Sequence, residues 1–219
     1  MNAPILWIFL PLALGGFFLL FRHERVLTIL GGSSALILSL LALLVPIDVA
    51  LFSGVFSFKL AGSLNVLGRS FVLETADGPL LAILYGLAAM WFFGAEVAGL
   101  ARRLVPMGMA ILSLLVAAIA VRPFLFAAVF IEIAVLLSVP MLLPPTQRHG
   151  RGILRYLIFQ TLAVPFILFA GWLVAGVETS PGDVELTLQS TAMLALGFAF
   201  LLSVFPLYTW IPMLMEEAP

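Results

Sequence analysis

Among the titratable residues of this chain, one stands where titration has a use beyond solubility. Glu132 lies in FLFAAVFIEIAVLLSVPMLL, near the middle of a long apolar run. An ionisable side chain at mid-membrane depth costs about 2.5–3.5 kcal/mol on insertion scales, so such residues are rare and face a bundle interior or a wet cavity. A carboxyl that loads and releases a proton at that depth is what a proton pathway requires. It also fits a plainer role, an acid hydrogen-bonded to a neighbouring helix. Arg155 and Gln160 follow at the start of the next apolar run. Arg155 either snorkels to the interface or reaches inward as a cationic relay partner of Glu132. Glu96 stands near Arg102 and Arg103 and reads as one half of an interfacial ion pair.

Other chemistries lack their residues. The chain has no cysteine, which removes disulfides, thiolate metal sites and cysteine nucleophiles. Two histidines, His23 and His149, do not make a histidine-rich metal centre. GxxxxGK[ST], HExxH and GxSxG are all absent. No flavin, iron–sulfur, nicotinamide or metal site is expected in the chain itself.

The elements that must position Glu132 follow from composition. Of 219 residues 63% are hydrophobic and 10% charged, and the mean hydropathy is +1.24. A soluble domain is about 45–50% apolar and about 25% charged. A fold of this size in water could not hide so much apolar surface. The net charge of -1 offers no basic footprint for nucleic acid. An all-α integral membrane protein is the class that remains, with the lipid bilayer as its surroundings.

A spanning helix needs about 20 largely apolar residues. Seven such runs are read at Ile5–Phe21, Val26–Leu44, Pro79–Ala98, Val105–Val121, Pro123–Leu143, Ile153–Val174 and Leu188–Tyr208. Together they form a single membrane domain over residues 1–219. Runs this long in lipid must satisfy their backbone internally, as helices do. Arg22, Arg25, Arg102, Arg103, Arg148, Arg151 and Arg155 occupy the odd loops, while the other side holds only Lys59, Arg69 and Arg122. Seven positive residues against three place the odd loops in the cytoplasm and the N-terminus outside. The chain is thus expected to be multi-pass in the plasma (inner) membrane of a prokaryote. Trp7, Trp91, Trp172 and Trp210 fall toward span ends, where an aromatic belt would put them.

The stretch Asp48–Asp77 is broken by Gly, Ser, Lys59 and Arg69 and cannot span. Alternation over Val55–Leu60, and again near Ser70–Val72, suggests an outer hairpin or an interfacial segment. Pro144–Pro145 needs mean only a turn in a loop. The seventh run ends in GFAFLLSVFPLYTWIPMLMEEAP, where Pro206 and Pro212 each break a helical ladder. Such a break is either a helix end at the water interface or a discontinuous helix of the kind ion transporters use.

FPLYTWIPMLMEEAP resembles the FPFHTWLPDAHxEAP motif of the antiporter-like membrane subunits of NADH:quinone oxidoreductase (complex I), multisubunit Na+/H+ antiporters and membrane-bound hydrogenases. Phe205, Pro206, Thr209, Trp210, Pro212, Glu217, Ala218 and Pro219 match as they stand. Glu132, in FIEIAVLLSVPMLL, falls where that family places its fifth-helix glutamate. ILRYLIF resembles the family's LKYFLL, with Arg155 in place of lysine. The resemblance implies the first, incomplete half of an inverted-repeat fold of about fourteen helices. It implies that Glu132 and Arg155 lie on a proton pathway and that Pro206, Tyr208, Thr209, Trp210, Pro212 and Glu217 build the first broken helix. It further implies other membrane subunits as partners and protons or Na+ as cargo.

Two departures accompany it. The family's helix-seven lysine, four residues before the FP pair, is Leu201, and Lys59 is the only lysine in the chain. The family's DAH is Met213–Leu214–Met215, and its histidine before TW is Tyr208. The sequence also stops at Pro219, where the next helix of the repeat should begin, so a truncated or split sequence is expected. Three readings stand: a proton-translocating subunit of a redox-driven complex, a cation/proton antiporter subunit without a redox partner, and a structural subunit that no longer pumps.

Overall fold

The computed structural model describes residues 2–49, 60–143, 150–179 and 182–217. The described residues are mostly helical, and six helices among them are long and apolar enough to cross a membrane. It divides into two compact units, Met1–Ala120 and Val121–Pro219.

The first unit opens with a π-helical turn, Ile5–Phe9, that runs into α1 (Leu10–Phe18). Pro11 explains the irregular start: it has no N–H to give to the Trp7 carbonyl one turn back. Tyr85 donates its hydroxyl to that carbonyl instead, at 2.5 Å, and Ser113 donates to the carbonyl of Ile8. Trp7 in turn donates its indole N–H to the Leu38 carbonyl at 3.2 Å, and none of its side chain is exposed. Trp7 is therefore a core residue of its unit and not part of an aromatic belt. The apolar helix Ile5–Phe18 is shorter than the expected Ile5–Phe21.

The other helices of this unit are α2 (Glu24–Leu44), α3 (Gly78–Gly94) and α4 (Ala101–Ala120). Their contacts are made by small residues, which let membrane helices approach closely. A Cβ on Gly15 would stand 2.8 Å from the Pro106 carbonyl of α4, so α1 and α4 cross there backbone to backbone. Ser39 of α2 donates to the Ala82 carbonyl of α3 at 2.7 Å.

Between α2 and α3 a hairpin pairs β1 (Ser63–Val66) with β2 (Arg69–Val72), antiparallel, with Leu64 opposite Phe71. Leu67 and Gly68 make its turn with φ of 50 and 74°, the both-positive geometry that suits the strand twist. Phe71 and Leu73 face inward, Phe71 edge-on to Phe9 at 6.1 Å. The expected hairpin is present over 63–72. The alternation read over Val55–Leu60 lies outside the described residues except for Leu60, as does the Pro144–Pro145 turn.

The second unit is organised by one helix. α5 (Ala127–Leu142) and α7 (Val184–Leu201) both pack on α6 (Arg151–Thr179), and so does a short final helix, α8 (Trp210–Glu217). At about 1.5 Å per residue the 29 residues of α6 reach some 44 Å. Asp183 starts α7 by accepting from the backbone N–H groups of Glu185 and Leu186 at 3.0 and 3.1 Å. The expected seventh run, Leu188–Tyr208, is corrected at both ends: the Asp183 cap begins the helix earlier, and the chain leaves helical geometry after Leu201.

Candidate functional site

Glu132 projects from α5 toward α6. Thr161 donates its hydroxyl to Glu132 Oε1 at 3.0 Å. A threonine within a helix usually bonds back to its own preceding turn; here the hydroxyl crosses to the neighbouring helix. Glu132 Oε2 is buried and has no hydrogen-bond partner among the described residues. Ala128, one turn before Glu132, sits in an apolar cluster with Ala163 and Ile167 of α6, flanked by Ile131 and Leu201.

Further along the same helix pair, six residues on in α5 and five back in α6, Ser138 and Tyr156 share a hydroxyl–hydroxyl bond of 2.5 Å. Ser138 also bonds to the Val135 carbonyl at 2.6 Å. Its single proton is committed there, so Tyr156 is the donor of the shared bond. The Ser138–Tyr156 bond and the Thr161–Glu132 bond join the same two helices, α5 and α6. Its ring meets the Trp210 ring edge-on at 5.1 Å. Trp210 is 8% exposed, and its indole N–H is the second buried polar atom without a partner among the described residues.

The end of α7 is built with care for its carbonyls. Ser203 adopts φ of 54°, and the N–H groups of Ser203 and Val204 return to the carbonyls of Phe200 and Ala199 at 3.2 and 3.0 Å. This pair of bonds is a Schellman closure. It leaves the Leu201 carbonyl, which accepts from Gln160 Nε2 at 3.2 Å. Adjacent residues of α6 therefore serve two neighbours, Thr161 holding the carboxylate of α5 and Gln160 the broken end of α7.

The residues of the FPLYTWIP stretch divide between two faces. The Phe205–Pro206 peptide is cis, Pro206, Tyr208, Thr209 and Pro212 are exposed, and Tyr208 stacks on Phe205 at 6.1 Å. Trp210 and Leu214 turn inward against Ile153 of α6. Glu217 Oε2 accepts from the N–H of Gly152 at 2.9 Å and from that of Ile153 at 3.4 Å. A carboxylate at that end satisfies open donors and meets the positive end of the helix dipole. A Cβ on Gly152 would stand 2.7 Å from the backbone of Met213 and Leu214, so glycine is what lets α8 seat there.

Of the residues singled out from the sequence, Trp210 and Glu217 are brought against α6, and Glu132 is joined to Thr161. Arg155 is exposed and forms no ion pair with Glu132 among the described residues. Trp210, read as a belt residue, is buried because its ring completes the contact with Tyr156. Glu96 forms an ion pair between exposed side chains, with Arg25 at 3.7 Å. Ser138 and Tyr156 lie within the FIEIAVLLSVPMLL and ILRYLIF stretches but were not singled out there, and Thr161 lies in neither; the signs available were the spacing of Ser138 from Glu132 on α5 and of Tyr156 from Thr161 on α6. Among the described residues no group of three or more His, Cys, Asp or Glu side chains is placed to hold a metal ion. No protein-family model matches this sequence, and neither does any curated protein sequence.

Proposed function

We propose that this chain is a proton-translocating membrane subunit of a redox-driven complex of the NADH:quinone oxidoreductase type, with Glu132 as the carboxyl that carries the proton. The observation behind it is the half-satisfied state of that side chain. One oxygen is fixed by Thr161, while the other is buried on a membrane-length helix with no partner among the described residues. A buried carboxyl oxygen without a protein partner calls for an explanation, and carrying a proton supplies one. The discontinuity after Leu201, close to the apolar cluster that Ala128 joins, agrees with this reading. Oxidation and reduction would take place in partner subunits, and the N-terminal end of α6 would face the cytoplasm.

The test is Glu132→Gln in native membrane vesicles, with redox-driven proton translocation measured against the amount of assembled complex. Translocation is expected to vanish with assembly intact; unchanged translocation would refute the role of Glu132. A second reading, a structural subunit that does not pump, is favoured by Leu201. Its apolar side chain packs with Ala128, Ala163 and Ile167 where the resembling family carries a lysine. A cation/proton antiporter subunit would translocate without redox substrate in the same vesicles.

A further inference from the structure

We propose that Tyr156, held by Ser138, is a relay residue that passes protons between Glu132 and the surface at the N-terminal end of α6. The inference rests on Glu132 being a proton carrier and adds the route by which it exchanges protons with one side of the membrane.

Two buried polar atoms lack partners among the described residues, and Tyr156 is related to both. Glu132 Oε2 is an acceptor on the next bonded rung of the same helix pair; Trp210 Nε1 is a donor on the ring that touches the phenol. Buried polar groups are rarely left unsatisfied, and ordered water is their usual partner where the site is polar on several sides. Tyr156 precedes Thr161 by five residues on α6, and Ser138 follows Glu132 by six on α5. At about 1.5 Å per residue the two rungs stand about 8–9 Å apart along the helices. Hydrogen-bond steps of about 2.8 Å cover that with two bridging waters.

The phenol is suited to the position. Its hydroxyl can accept and donate at once. Ser138 fixes the resting direction of its proton, because the serine's own proton is on the Val135 carbonyl. In one transfer, Glu132 releases its proton to a bridging water, and that water gives a proton to the Tyr156 oxygen. The phenol's original proton, turned from Ser138 toward water on the side of Trp210 and the exposed Arg155, is released to that water. One proton enters and one leaves, and rotation of the hydroxyl back to Ser138 resets the station.

The experiment uses native membrane vesicles with the assembled complex and compares Glu132→Gln, Tyr156→Phe and Ser138→Ala. Phenylalanine keeps the ring on Trp210, so assembly is retained while translocation is expected to fall about tenfold or more, the scale of losing a positioned proton-transfer group. Ser138→Ala removes only the orienting acceptor and is expected to lower the rate less. Site-specific 3-fluorotyrosine at position 156 retains ring and hydroxyl but is more acidic, and is expected to move the pH profile of translocation; a ring that merely packs would leave it unmoved. Wild-type translocation by Tyr156→Phe, beside a dead Glu132→Gln, would overturn the relay and leave the role of Glu132 standing. Wild-type translocation by Glu132→Gln would overturn both. A Ser138→Ala loss larger than that of Tyr156→Phe, or an unmoved fluorotyrosine profile, would also overturn the relay, the latter even if the phenylalanine variant failed to assemble.

Discussion

Replacing Gln160 by leucine removes the donor that serves the Leu201 carbonyl while keeping the volume of a buried side chain, 6% exposed. The Schellman closure sends the N–H groups of Ser203 and Val204 to other carbonyls, and among the described residues no backbone donor serves Leu201. An orphaned acceptor costs about 1–3 kcal/mol. At 3.2 Å and only partly buried, this bond belongs at the low end of that range. Side-chain hydrogen bonds within membrane proteins average about 0.6 kcal/mol and reach about 1.7. The expected loss is therefore about 1 kcal/mol, a factor of about five in the folded-to-unfolded ratio. The assay is equilibrium unfolding of the full chain in mixed micelles with an added denaturing detergent. Gln189→Leu is the control, because the Gln189 amide bonds only Glu185 on the same exposed turn; it should shift stability by less than about 0.5 kcal/mol. Gln160→Glu should cost more than Gln160→Leu, since it turns an acceptor toward the carbonyl. If Gln160→Leu is as stable as Gln189→Leu, the α7 break is not held from α6 and the account of that junction is wrong.

Glu217→Ala leaves the Gly152 and Ile153 donors without their carboxylate and should lower unfolding stability by about 1 kcal/mol, read by the same titration. Asp183→Ala should cost about 1 kcal/mol at the start of α7, whereas Asp183→Asn should cost far less. Leu201→Lys should destabilise by about 2.5–3.5 kcal/mol, and the loss should be smaller with Glu132 present than in Glu132→Gln if the two positions are in electrostatic reach. Trp7→Phe should cost about 1–2 kcal/mol through the lost bond to Leu38, while Trp172→Phe, at an exposed position, should shift the midpoint little.

The long apolar helices were legible because a run of that length and composition shows in the sequence alone, although the first run gave only the shorter helix Ile5–Phe18. The ends were less so. Helix ends are set by local donors and acceptors: Asp183 opens α7 early, and the positive φ of Ser203 closes it before Pro206, the residue to which the break had been traced. Glu132 was legible because a carboxylate in an apolar run has few innocent explanations. Its neighbours were not, because Thr161, Ser138 and Tyr156 acquire meaning only once α5 and α6 lie antiparallel. Trp7 and Trp210 were misread for a related reason. Position along a helix is visible in sequence, but the side to which a ring turns is decided by partners such as the Leu38 carbonyl and the Tyr156 ring.

The carboxylate that closes the first turn of α6 comes from a residue 65 positions later in the chain. At about 5–20 residues per second, synthesis takes about 3–13 s to cover that distance. Once Thr179 has been added α6 is complete, but its first turn has no carboxylate at its end until Glu217 follows. The cap is thus a late event in biogenesis. A released chain that ends before Glu217 would hold an α6 whose first amides exchange with water, and one that includes Glu217 would not. Protection of the Gly152 and Ile153 amides would then serve as a clock for when the second unit finishes assembling.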